Sequence, residues 1–142
     1  MNYRELAEEF CGMRIQDAKR VARIEEAMMV KGESNVLLYL ADYEEGVLAG
    51  QIARELGLSA SRGTNILNSL EKKGLVIRRN DAEDRRKVYI SLTEEGKKTM
   101  MAHYNEFVSD FEEVFRELGE EDAKEYIRIL KRLTEIMEKK KK

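Results

Sequence analysis

"LAGQIARELGLSASRGTNILNSLEKKGLVIRRNDAEDRRKVYISLTEEG", Leu48–Gly96, changes its hydrophobic period partway along. The first half holds two short amphipathic helices. Leu48, Ile52, Ala53 and Leu56 share one face ahead of Gly57; Ile66, Leu67 and Leu70 share another between a Ser59 cap and Gly74, with Leu58 just ahead of the cap helping to hold that helix. The second half holds two β-branched and aromatic runs, "LVIRR" and "VYISL". The polar "NDAEDRRK" between them makes a hairpin with a long tip. Thr93 caps the helix that follows, with Glu94 and Glu95 against the positive end of its dipole.

On the N-terminal side, Ser34 is placed to cap "NVLLYLADYEE", apolar enough to be largely buried, and Gly46 ends it. Residues ~3–29 read as one helix with Phe10, Val21, Ile24 and Met28 near a single stripe. On the C-terminal side, the helix after Thr93 carries Met100, Tyr104, Phe107, Phe111 and Leu118 on one face. Beyond Gly119 a last helix lines up Ala123, Tyr126, Leu130, Leu133 and Met137. The outer stripes are too large for a small winged module to cover alone, so they call for a second copy of the chain.

The expected fold class is mainly α with a small β-hairpin wing (α+β): a winged helix-turn-helix plus a helical dimerisation region. One domain, residues 1–142, holds the winged module at about 34–96. The dimerisation helices are expected at about 1–33 and 97–142.

Composition narrows the function. Hydrophobic residues make up 42% and charged residues 38%, with no proline to interrupt long helices. The N-terminal stretch has acids and arginine and no long apolar run, so neither a signal peptide nor a membrane span is expected. The single Cys11 excludes an internal disulfide and fits the cytoplasm, where the chain is expected to work. One histidine and one cysteine cannot build a transition-metal site, and no cofactor is expected. With no carboxylate pair, Ser/His/Asp set or phosphate loop, an enzyme is not expected either.

The net charge is −2, but its distribution matters more. Ser59–Lys87 holds eight basic residues against four acids, an excess of four, which leaves the remainder of the chain at minus six. The positive charge is gathered on the second short helix and the hairpin. A helix of that size enters the major groove, and its early polar side chains reach base edges: Ser59, Ser61, Arg62, Thr64, Asn65 and Asn68. A basic hairpin tip beside it suits the backbone or the narrow, negative minor groove. Double-stranded DNA is the expected partner, and a membrane is not.

The stretch also resembles the multiple antibiotic resistance regulator (MarR) family of bacterial transcription factors. "LEKKGLV", the R-x-x-D-x-x-D-x-R spacing that follows it and "SLTEEG" carry the resemblance, over about residues 47–97. It implies a homodimer with interlocked outer helices, acting as a ligand-responsive repressor on a pseudo-palindromic operator. It also implies that Arg86 enters the minor groove, that Asp84 orients it, and that Arg85 lies on or near the backbone. A pocket for a small aromatic or amphipathic acid is expected to be lined by Met13, Tyr39, Tyr43, Met100 and Tyr104. The chain departs from many members at Asn65 and Ser69, which stand where arginine is common, so a less basic groove-facing surface is expected. Two alternatives stand beside this reading. The winged module could dock an acidic protein instead of DNA. Within the family, some members sense peroxide through a first-helix cysteine near tyrosines of the partner's second helix, a role open to Cys11 with Tyr39 and Tyr43.

Overall fold

The structure, a computed structural model, describes residues 2–28 and 32–141. They belong to two compact units, Met1–Gly32 and Glu33–Lys142. The first holds α1 (Tyr3–Gln16) and α2 (Ala18–Met28). A reciprocal capping box starts α1: the Glu5 N–H donates to Asn2 Oδ1 at 2.8 Å, and the Asn2 N–H donates to Glu5 Oε2 at 3.1 Å. The expected single helix is broken at Asp17, where φ is −110° and ψ 36°. Its carbonyl still accepts the Val21 N–H at 2.8 Å, so Asp17 sits where aspartate is favoured, at the head of a new helix rather than inside one. The last residue of the expected helix, Met29, lies outside the described residues.

The second unit runs α3 (Gly32–Leu40), β1 (Val47–Leu48), α4 (Ala49–Glu55), α5 (Ala60–Lys72), β2 (Val76–Asn80), β3 (Val88–Leu92), α6 (Glu94–Leu118) and α7 (Glu120–Lys140). Two boundaries differ from the sequence reading. Ser34 lies inside α3 rather than capping it, and its hydroxyl meets His103 Nδ1 at 2.8 Å. The helix also stops at Leu40, several residues early, because Val47 and Leu48 leave to pair with β3, opposite Ile90 and Tyr89. Gly46 makes that exit possible. Its φ is +95°, and a Cβ there would lie 2.9 Å from the Ile90 carbonyl oxygen.

The hairpin is therefore the larger part of a three-stranded antiparallel sheet ordered β1-β3-β2. Its inward residues Val47, Val76 and Ile90 join Val36, Leu37 and Leu40 of α3, Ile52 of α4, and Leu67 and Leu70 of α5, all at most 4% exposed. This core ties helix-turn-helix and wing into one body. The long helices carry far less buried surface: among the described residues only Gly96 of α6 and Ala123 of α7 are buried.

Candidate nucleic-acid interface

The turn between α4 and α5 is built on Gly57, at φ +66°, with the Leu58 N–H returning to the Ala53 carbonyl at 2.8 Å. A Cβ on Gly63 would lie 3.1 Å from that of Ala53, so the two helices cross closely. Ser59 caps α5, accepting the Arg62 N–H at 3.1 Å. Gly63, Leu67 and Leu70 turn into the core, and Ser59, Ser61, Arg62, Thr64, Asn65 and Asn68 are all exposed. Ser61, Thr64, Asn65 and Asn68 recur at helical spacing along one outer face. Thr64, itself exposed, donates its hydroxyl to the Ala60 carbonyl at 2.9 Å.

Ser69 does not belong to that stripe. It is half-buried and donates to Glu33 Oε1 at 2.5 Å, while Lys73 Nζ donates to Glu33 Oε2 at 2.6 Å. These bonds, that of Lys73 first, hold the Glu33 carboxyl below its usual range. Ser69, which stands where arginine is common, thus ties α5 to α3.

At the wing tip, one aspartate organises the chain. Asp81 Oδ1 accepts the Glu83 N–H at 2.9 Å and lies 3.5 Å from the Asp84 N–H. The Tyr89 hydroxyl donates to its other oxygen at 3.4 Å. The Glu83 N–H is the main cause of a lowered Asp81 pKa. Glu83 takes part in the turn through its backbone N–H. Asn80 Nδ2 donates to the Arg85 carbonyl at 2.7 Å, and the Lys87 N–H to the Asp84 carbonyl at 3.0 Å.

On this frame Asp84 Oδ1 accepts from both the backbone N–H of Arg86, at 3.1 Å, and its Nε, at 3.2 Å. The Arg86 side chain is nonetheless 93% exposed. An arginine is thus held at its root while its outer guanidinium nitrogens face solvent. Arg85 is exposed beside it.

Two arginines that the charge count treated alike with these have different work. Arg78 Nη2 donates to Asn68 Oδ1 at 2.5 Å, and its Nε lies 3.3 Å from Glu71 Oε2. Arg79 donates to the Glu45 carbonyl at 3.2 Å and lies 5.3 Å from the Tyr89 ring centroid. Their alternation along β2 was the available signal, since neighbouring strand residues face opposite ways.

The expected effector residues are only partly brought together. A cleft of about 300 Å³ beside α6 is lined by Tyr43, Met100, Leu92, Lys97 and Met101, among others. Tyr39 packs on Tyr43 with ring centroids 5.2 Å apart. Its enclosed hydroxyl has no hydrogen-bond partner among the described residues, and burial pushes its pKa up. Tyr104 is 49% exposed and does not line the cleft. Met13 and Cys11 lie in the other unit, both exposed. Lys97 and Leu92 were not anticipated, because only the turn from β3 into α6 places them there. Among the described residues no three His, Cys, Asp or Glu side chains group as a metal site, and no helix is long and apolar enough to cross a membrane.

Residues 31–87 match the model of the MarR family. A homoprotocatechuate degradative operon repressor of Escherichia coli is 39% identical over 72 residues. That match covers 51% of this chain and 46% of that protein, so the chain spans about half the length of this relative. Among solved structures, a mutant of Staphylococcus aureus MepR is similar over 96% of this chain and 99% of its own, with 25% identity and a TM-score of 0.63. Streptococcus pneumoniae FabT, solved in complex with DNA, shares the fold at a TM-score of 0.66 and 23% identity, over 97% and 99% of the two chains.

Proposed function

We propose, from the match of residues 31–87 to the MarR family, that this chain is a cytoplasmic, sequence-specific DNA-binding transcriptional regulator, a repressor rather than an enzyme. The observation that carries the reading is the Asp84–Arg86 pair at the wing tip, beside the exposed polar stripe of α5. The stripe enters the major groove, where Thr64, Asn65 and Asn68 meet base edges. Arg86 enters the flanking minor groove, and Arg85 stays on the backbone. Exposed apolar side chains on α6 and α7 support a homodimer (Val108 43%, Val114 57%, Leu133 51%, Met137 57%). Its dyad sets two half-sites about one helical turn, ~10 bp, apart on an inverted repeat.

The cleft beside α6 supports control by a small amphipathic acid. Tyr43, Leu92 and Met100 offer apolar and aromatic surface, and Lys97 a cation. A ligand there lowers DNA affinity only by preferring one spacing of the two recognition helices. The test is selection from random duplexes followed by footprinting. A pseudo-palindrome whose binding falls steeply with salt is expected. Salt-sensitive binding without sequence preference would instead favour the wing as a dock for acidic proteins.

A further inference from the structure

Asn68 stands on the outer stripe of α5, but its amide is not free to turn. Arg78 reaches across from β2 and donates Nη2 to Asn68 Oδ1 at 2.5 Å. The same guanidinium is braced one helical turn further on, its Nε 3.3 Å from Glu71 Oε2. Arginine has donors and no acceptor, so this contact fixes which end of the amide faces it. The oxygen is held toward β2 by a charge-assisted bond, and the Nδ2 amino group is the end left to exposed surface.

An asparagine reads adenine by using both ends of its amide, accepting from N6 and donating to N7. With its oxygen held toward β2 by Arg78, Asn68 turns its donor end to the groove, and adenine N6 could reach the oxygen's second lone pair only past that guanidinium. Guanine presents two acceptors, O6 and N7, along the same edge. We propose that Arg78 is a specificity-setting residue: by holding the Asn68 amide it makes that position of α5 read guanine instead of adenine. Arg78 touches no base in this role and acts as a positioning residue. The inference rests on the reading of α5 as the groove helix.

The experiment is duplex selection from a random pool with the full chain and the variants Asn68→Ala, Arg78→Met and Arg78→Lys. Asn68→Ala identifies the base pair concerned, as the one whose preference flattens. The wild type should place guanine there by roughly ten-fold over adenine, the scale of one good base contact. Arg78→Met should move that one position to adenine and leave the others in place. Arg78→Lys, which still donates to the amide oxygen, should keep guanine. A purely structural role for Arg78 would weaken all positions alike and overturns the proposal. Adenine in the wild type, guanine surviving in Arg78→Met, or no position responding to Asn68→Ala overturns it too, with the DNA reading intact. No enrichment of any duplex by the wild type removes the DNA reading itself. Should Arg78→Met lose its folded circular dichroism spectrum, Asn68→Asp gives the decision. It presents only acceptors, so guanine must give way to cytosine at the same pair, and retained guanine overturns the proposal.

Discussion

Asp84 looks misplaced beside a polyanion until its two bonds to Arg86 are counted. One fixes the backbone and one fixes the root of the side chain. Ordering a long side chain at an interface costs about 0.5–1.5 kcal/mol, and in the proposed reading Asp84 removes part of that cost before DNA arrives. Arg86→Ala should weaken binding to every operator variant, most of all where flanking A·T pairs narrow the minor groove. Asp84→Ala should weaken it less but in the same direction, although it deletes a negative charge. Tighter binding by Asp84→Ala in a fluorescence-anisotropy titration at moderate salt would show the tip to be merely a charged loop. Asp81 makes a separate prediction. Its folded pKa is lowered, so its contribution to wing order is present above the unfolded value, ~3.9, and is lost as pH falls through the folded value. NMR titration should find its carboxyl midpoint below ~3.9; a midpoint at or above the ordinary value would remove Asp81 as organiser of the tip. The Asp84–Arg86 pair was legible in the sequence, through the family's spacing and because its members are two residues apart. The Asn68–Arg78 contact was not, because its partners lie on different elements and only the turn at Gly74 brings them together.

At the scale of elements, the helix-turn-helix and hairpin were readable because their signals are local: glycine stops, the Ser59 and Thr93 caps, and a change from helical to strand period. β1 was not readable. Two residues carry no period, and Val47–Leu48 becomes a strand only by pairing with β3 some forty residues on. The same long-range pairing explains why α3 ends early. Where β2, β3 and α6 meet, Thr93 donates to the Gly74 carbonyl at 2.6 Å and accepts the Gly96 N–H at 3.0 Å. Gly96 is packed against that junction: a Cβ would fall 2.0 Å from the Leu75 carbonyl oxygen, a backbone atom with little freedom to retreat. Gly96→Ala should therefore destabilise the winged unit by about 1–3 kcal/mol, the usual scale of overpacking. Thermal unfolding checks this, and an unchanged midpoint would mean that the first turn of α6 shifts without cost.

Across the whole molecule, the outer helices carry an unusual load of exposed apolar side chains. Tyr3 is 91% exposed, Ile15 77% and Phe10 59%, and Ile129, Leu130 and Ile136 are each close to half exposed. A homodimer burying over ~2,000 Å² would cover such surface. Sedimentation should find dimer at micromolar concentration, and a stable folded monomer there would count decisively against it. The sheet has a consequence of another kind. In the order β1-β3-β2, β2 lies at an edge, and its Ile77 is 53% exposed. An open edge with an apolar side chain is a template for strands of other molecules, and charged neighbours are the usual protection. Arg78 and Arg79 follow Ile77 along that edge, so besides bracing the wing they should keep it from becoming a seed for amyloid-like stacking. Replacing both with valine should leave the isolated fold recognisable yet make concentrated solutions turbid on standing, with light scattering that grows from seeds. A variant that stays clear would show that the edge is guarded elsewhere. Arg78, proposed above to set base specificity, would then also serve colloidal solubility.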